Sequence, residues 1–304
     1  MSDRAEMKAA SSNSGALTFG VGDITVRLMS ADPRLKLEVQ GAAERFLVTG
    51  AEADIHVEAA WGQLSDTPPG KNLFDSGSVW QLYRQDADYI FQFKSPTCGT
   101  IPYKQACFNS SFTSGELRLH VDYFDRSQPV YPLEFPLDEL LFVNLLANGR
   151  GVEVHACGLV DSDGRGHLFL GHSGGGKSTM ARLWQRAGGV QVLSDDRIIL
   201  RSAGQRIWMY GTPWHGEARL ASPARVPVAQ VFFLRHAPQN GIVSLRPATA
   251  VARLMACSFV PFYSPGGLDF TVAFFQQMTQ SIPVRELSFA PDERVVEYVR
   301  QQAR

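Results

Sequence analysis

Residues 168–179 read Leu-Phe-Leu-Gly-His-Ser-Gly-Gly-Gly-Lys-Ser-Thr, and no other stretch limits the fold of this chain as strongly. An apolar, strand-like run enters a Gly-x-x-x-x-Gly-Lys-Ser segment, and a helical pattern from Met180 to Ala187 leaves it. Strand, glycine-rich turn and helix in that order are the setting in which a phosphate-binding loop forms. The glycines let the backbone curl until several N–H groups face one anion, and the helix N-terminus adds partial positive charge. Gly171, His172, Ser173, Gly174, Gly175, Gly176, Lys177, Ser178 and Thr179 are therefore the expected nucleotide-binding residues. Lys177 is expected on the β- and γ-phosphates, and the Ser178 hydroxyl on Mg²⁺. ATP and Mg²⁺ are the expected cofactors.

The rest of the chain is organised around that unit. At 304 residues and 44% hydrophobic, it can bury one large core or two smaller ones. The net charge is −1 with both signs scattered along the sequence, which argues against nucleic acid as a partner. No apolar run approaches the roughly 20 residues that span a bilayer, so no membrane partner is expected. Cys98, Cys107, Cys157 and Cys257 are far apart and form no Cys-x-x-Cys pair. They read as reduced, buried thiols, and with no signal-like N-terminal segment the expected location is the cytoplasm.

Residues 1–15 are small and polar without a period and are expected to be a disordered tail. Residues 16–130 read as an antiparallel, β-rich region. Ile24–Leu28, Ala53–Val57, Val79–Tyr83, Tyr89–Phe93 and Leu117–Val121 alternate apolar and polar residues between Gly, Pro, Asp and Asn. Residues 131–304 read as mixed α/β. A helix is expected within Pro132–Asn148, ended by Gly149 and Gly151. Strands are expected at Val152–Val160, His167–Gly171, Val190–Ser194, Ile198–Arg201, Ile207–Tyr210, Gln230–Leu234 and Val284–Phe289. Helices are expected near Thr249–Cys257, Leu268–Ser281 and Asp292–Gln302.

A phosphate loop needs a carboxylate to complete its metal site and, in a transferase, a base for the nucleophile. Asp195-Asp196, at the end of an apolar strand, supplies two. Neighbouring strand residues point to opposite faces, so both can serve one site only if the strand ends there. The pair also fits an ordinary Asp-rich turn. Tyr210-Gly-Thr-Pro-Trp-His-Gly-Glu217 reads either as a substrate- or phosphate-facing loop presenting Thr212, His215 and Glu217, or as a turn with a packing Trp. Arg219 or Arg225 could offset charge on a transferred phosphoryl group.

His155 in an apolar strand, the Gly171–Ser178 segment and Leu193-Ser-Asp-Asp196 together resemble the catalytic core of the HPr kinase/phosphorylase family. That family phosphorylates a serine of a small protein and shares a P-loop fold with the ATP-dependent phosphoenolpyruvate carboxykinases. The resemblance covers about residues 132–215 well and the rest of the C-terminal part loosely, and leaves out the β-rich region. It implies a kinase domain of that type over 131–304, with catalytic residues Asp195, His155 and Lys177. Asp195 would take the hydroxyl proton and His155 would relay it, while Ser178 and Asp196 would be the metal contacts. It also implies a homo-oligomer and a peptide or small-protein acceptor. Thr179 stands where the family has Glu, and the family's downstream glycine-rich signature has no counterpart. A carboxykinase-like transfer to a small organic acid and a non-catalytic nucleotide-binding recognition module therefore stay open.

Overall fold

The computed structural model describes residues 15–302. The expected tail lies outside the described residues except for Gly15. The chain divides into two compact units, one ending at Leu141 and the other starting at Phe142.

The first unit is an eight-stranded sheet. Its strands are β1 (Ala16–Val21), β2 (Ile24–Ser30), β3 (Ile55–Gly62), β4 (Lys71–Asp75), β5 (Trp80–Gln85), β6 (Asp88–Phe93), β7 (Lys104–Phe108) and β8 (Ser114–His120). They lie in the order β1-β2-β3-β8-β7-β6-β5-β4. Alternation puts one face in the core: Ile55, Val57, Ala59 and Trp61 of β3 are buried, and His56 and Glu58 between them are exposed. The sheet corrects the expectation of a purely antiparallel region. β2–β3 and β3–β8 are parallel, and the remaining neighbours are antiparallel. Alternation fixes which face a strand buries, not the direction of its partner.

Helix α1 (Leu137–Leu145) runs across the boundary, and Gly149, at φ +87°, lies in the turn that follows it. The second unit continues with β9 (Val152–Val160), β10 (Gly166–Leu170), α2 (Lys177–Ala187), β11 (Gln191–Ser194), β12 (Arg197–Ala203), β13 (Arg206–Gly211), β14 (Arg225–His236), β15 (Gly241–Ser244), α3 (Pro247–Ala256), β16 (Ser258–Phe259), α4 (Pro265–Ser281), β17 (Val284–Phe289) and α5 (Arg294–Gln302). β9 pairs with β10 and β12, β12 with β13, β13 with β14, and β14 with β10, so five strands close on one another. β10, β14 and β17 are mutually parallel neighbours, with β14 in the middle.

The period of two divides this unit into two apolar layers. Leu168 and Leu170 of β10 join Val231 and Phe233 of β14 in a core that also takes Leu254 of α3 and Phe275 of α4. Phe169 between them points the other way, into a core with Phe232, Met180 and Trp184 of α2 and Val295 of α5. A strand buried on both faces reads as a continuous apolar run, which is why β10 shows no alternation in the sequence. No helix is long and apolar enough to cross a membrane among the described residues.

Candidate active site

β10 ends at Leu170 and α2 begins at Lys177, so the glycine-rich segment is the loop between a buried strand and a helix N-terminus. Gly174 (φ +76°) and Gly176 (φ +97°) adopt backbone that other residues rarely take. A Cβ at Gly175 would come within 2.9 Å of the His172 carbonyl oxygen, to which the Gly175 N–H donates. His172, Ser173 and Gly174 are exposed, whereas Lys177 is buried and Ser178 and Thr179 are half-buried. The Lys177 ammonium donates to the carbonyls of Gly171 (2.8 Å) and His172 (3.2 Å), folding back over the loop. Burial lowers its pKa, and the Asp196 charge opposes that shift.

β11 stops at Ser194, the chain turns at Asp195-Asp196, and β12 starts at Arg197. The turn therefore meets the condition for both carboxylates to work in one place. The Ser194 hydroxyl holds the turn by accepting from the N–H groups of Asp196 and Arg197, both at 3.3 Å.

The two aspartates then diverge. Asp195 is fully buried, and its oxygens accept from the N–H groups of Gly216 (3.1 Å), Ala218 (2.9 Å) and Leu220 (3.2 Å) and from the Ser178 hydroxyl (3.3 Å). Asp196 is half-buried, and its Oδ1 lies 2.8 Å from His155 Nε2. Its Oδ2 meets the Arg197 guanidinium. The two carboxylates therefore have different partners. Asp195, expected to take a hydroxyl proton, accepts from three N–H groups of the 216–220 loop and from the Ser178 hydroxyl. Asp196, expected on the metal, is the carboxylate paired with the histidine. Burial pushes the Asp196 carboxyl up, but the His155 hydrogen bond and the Arg197 and Lys177 charges outweigh it and hold the group below the usual range.

Sheet register explains how His155 reaches this turn. It lies directly opposite Arg197 across the β9–β12 ladder, and its N–H donates to the Cys257 carbonyl (2.7 Å). Two residues earlier on the same face of β9, Glu153 is buried with Oε1 3.6 Å from Arg197 Nε. Phe259 of β16 lies under the Arg197 guanidinium at 4.2 Å, with its ring 6.1 Å from that of His155. Glu153, Arg197 and Phe259 were not expected from the sequence. The signals available were the two-residue spacing of Glu153 and His155 and the charge directly after Asp196.

The Tyr210–Glu217 segment is only partly the presenting loop that was expected. Thr212 is fully buried and donates to the carbonyls of Arg197 (2.8 Å) and Trp214 (3.4 Å), which corrects its assignment as a substrate contact. Trp214 is buried with its ring 5.5 Å from that of Phe142. His215, Glu217 and Arg219 are exposed, and the Arg219 N–H closes a turn on the Gly216 carbonyl at 3.1 Å. What the loop delivers inward is backbone N–H groups, aimed at Asp195. Arg225, the other candidate counter-charge, stacks on Trp208 and Tyr210.

The donors fit Mg²⁺. The Ser178 hydroxyl and the Asp195 carboxylate, 3.3 Å apart, are hard oxygen donors, and Mg²⁺ is commonly held by one or two such groups with substrate phosphates and water.

No protein-family profile and no curated protein matches the chain. Among solved structures, the HPr(Ser) kinase/phosphatase from Coxiella burnetii is similar at a TM-score of 0.29 and 15% identity, over 49% of this chain and 94% of that one. A score that low establishes no common fold.

Proposed function

We propose that the chain is an ATP-dependent phosphotransferase that moves the γ-phosphoryl group to a hydroxyl, with a serine of a peptide or small protein as acceptor. The observation that supports this reading is one junction. Asp195 binds the hydroxyl of the loop residue Ser178, and the adjacent Asp196 is paired at 2.8 Å with His155. A phosphate cradle and a candidate base are thus one residue apart.

In this reading the loop amides and Lys177 hold the triphosphate, and Lys177 exchanges its two carbonyl partners for phosphate oxygens. Ser178 and Asp195 would hold Mg²⁺, which would supply charge neutralisation to the triphosphate. The acceptor oxygen bonds to the γ-phosphorus as the bond to the β–γ bridging oxygen breaks. ADP leaves, and the hydroxyl proton passes to Asp196, oriented by His155. A carboxylate held below its usual pKa is a weak base. It suffices here because a loose phosphoryl-transfer transition state makes the hydroxyl acidic only as the new bond forms.

The test is to incubate the protein with ATP and Mg²⁺ across a panel of serine-bearing peptides and small proteins. ADP release that depends on an acceptor, with phosphoserine on that acceptor, is the expected result. Nucleotide binding with no turnover over the whole panel would identify a recognition module instead.

A further inference from the structure

His236 is the last residue of β14, the parallel neighbour of the strand that feeds the loop. Phe289 lies opposite it at the end of β17, and the Ala237 N–H donates to the Phe289 carbonyl at 3.0 Å. Both residues therefore stand at the carboxyl ends of parallel strands, where α/β sheets bind their ligands. Their rings pack with centroids 4.8 Å apart and planes at 37°.

Gly176 is what these rings touch. A Cβ there would meet Phe289 Cζ at 2.6 Å and the Cε1 and Nε2 atoms of His236 at 3.1 Å each. Glycine is required at 176 twice over, by φ +97° and by this wall. The ring edge carrying Nε2 therefore lies against the residue just before Lys177. His236 is exposed, and neither ring nitrogen has a hydrogen-bond partner among the described residues.

We propose that His236 is a phosphate contact of the nucleotide site, its Nε2–H donating to an oxygen of the polyphosphate held by the loop. This rests on the phosphate-loop reading above and adds a residue to it. One ring face is already packed on Phe289, and the edge turned to Gly176 offers a donor. That geometry suits a phosphate oxygen better than a stacked base. Phe289 supports the ring and sets its angle.

Binding of ADP, inorganic tripolyphosphate and adenosine, measured by calorimetry with Mg²⁺, tests the assignment on wild type and three variants. His236→Phe keeps an aromatic ring and removes the donor, His236→Gln keeps a donor and removes the ring, and Lys177→Ala is the loop control. The expected result is about tenfold weaker binding of both ADP and tripolyphosphate by His236→Phe. Recovery of most of that loss by His236→Gln, and no change for adenosine, complete the expectation. Unchanged tripolyphosphate binding by His236→Phe overturns the assignment, as does recovery by Phe but not Gln, which would make the ring a packing element. Wild type that binds neither ADP nor tripolyphosphate overturns the phosphate-loop reading itself, and His236 with it. Circular dichroism melts of each variant separate lost contacts from lost fold.

Discussion

The two units bury their strands in different ways, and that difference shows where chemistry can sit. In the first unit β3 alternates strictly, so each polar side chain has a place on the open face and none of them stands out. In the second unit β10 is buried at all five positions, and β9 is buried except at His155 and Val160. A half-buried histidine in such a strand breaks a rule, and the buried Glu153 two residues before it breaks another. Both lead to the same turn. The first unit has its own misfit, Lys104, fully buried with its ammonium over Phe93 at 4.7 Å and 3.3 Å from Glu134. Its partner Glu134 stays half-exposed, whereas the second unit gathers Glu153, His155, Lys177, Asp195, Asp196 and Arg197 around one loop. Concentration of misfits, not their mere presence, marks the candidate site.

Substitutions can break this contrast. The largest effect is expected from Lys177→Ala, which should cut acceptor phosphorylation by about 10²–10³-fold in an ATP turnover assay. An activity that survives it would remove the loop from the mechanism. Asp195→Ala comes next, because it leaves three half-buried N–H groups without their acceptor. Urea unfolding should show a loss of about 3 kcal/mol, and an unchanged midpoint would mean that the 216–220 loop does not depend on that carboxylate.

A pH effect of similar size is expected away from the site. His167 is fully buried between Trp184 and Phe169, and burial lowers its pKa to about 4, with Asp161 partly opposing. The unfolded chain takes up a proton near pH 6.5 that the folded protein refuses until about pH 4. Stability is therefore full above about pH 6.5 and falls by about 3 kcal/mol as the pH drops between those values. His167→Phe should flatten that part of the stability–pH curve. The smallest effect is expected on the open face of the first unit. Glu116→Ala, which loses only an exposed pair with Arg118 at 3.9 Å, should change stability by less than about 0.5 kcal/mol.

Much of the second unit was legible in the sequence because its signals are local. The strand–loop–helix around Lys177, the end of β11 before Asp195, and β17 at Val284–Phe289 are all set by apolar period and turn residues. Short or exposed strands such as β4, β15 and β16 carry too few residues to show a period. Direction was hidden as well, so the parallel β2–β3–β8 pairings could not be read from alternation. Within the site, the loop and both aspartates were visible, but the division of partners between the two carboxylates was not. That division depends on backbone N–H groups arriving from residues 216–220, some twenty positions downstream, and backbone donors leave no mark in side-chain identity. Arg197 and Glu153 meet His155 only through the β9–β12 register, and His236 meets Gly176 only because β10 and β14 are parallel neighbours.

Whether Asp196 or Asp195 takes the acceptor proton beside the glycine-rich loop is decided by one paired measurement. ATP affinity and single-turnover transfer to an accepted peptide are compared for wild type, Asp196→Asn and Asp195→Asn. Asp196→Asn is expected to bind ATP within about threefold of wild type and to lose about 10²–10⁴-fold in the transfer rate. Asp195→Asn is predicted to melt earlier and to bind Mg²⁺-ATP more weakly. Full transfer by Asp196→Asn, beside a normally folded Asp195→Asn that binds nucleotide and cannot transfer, would contradict proton transfer to Asp196.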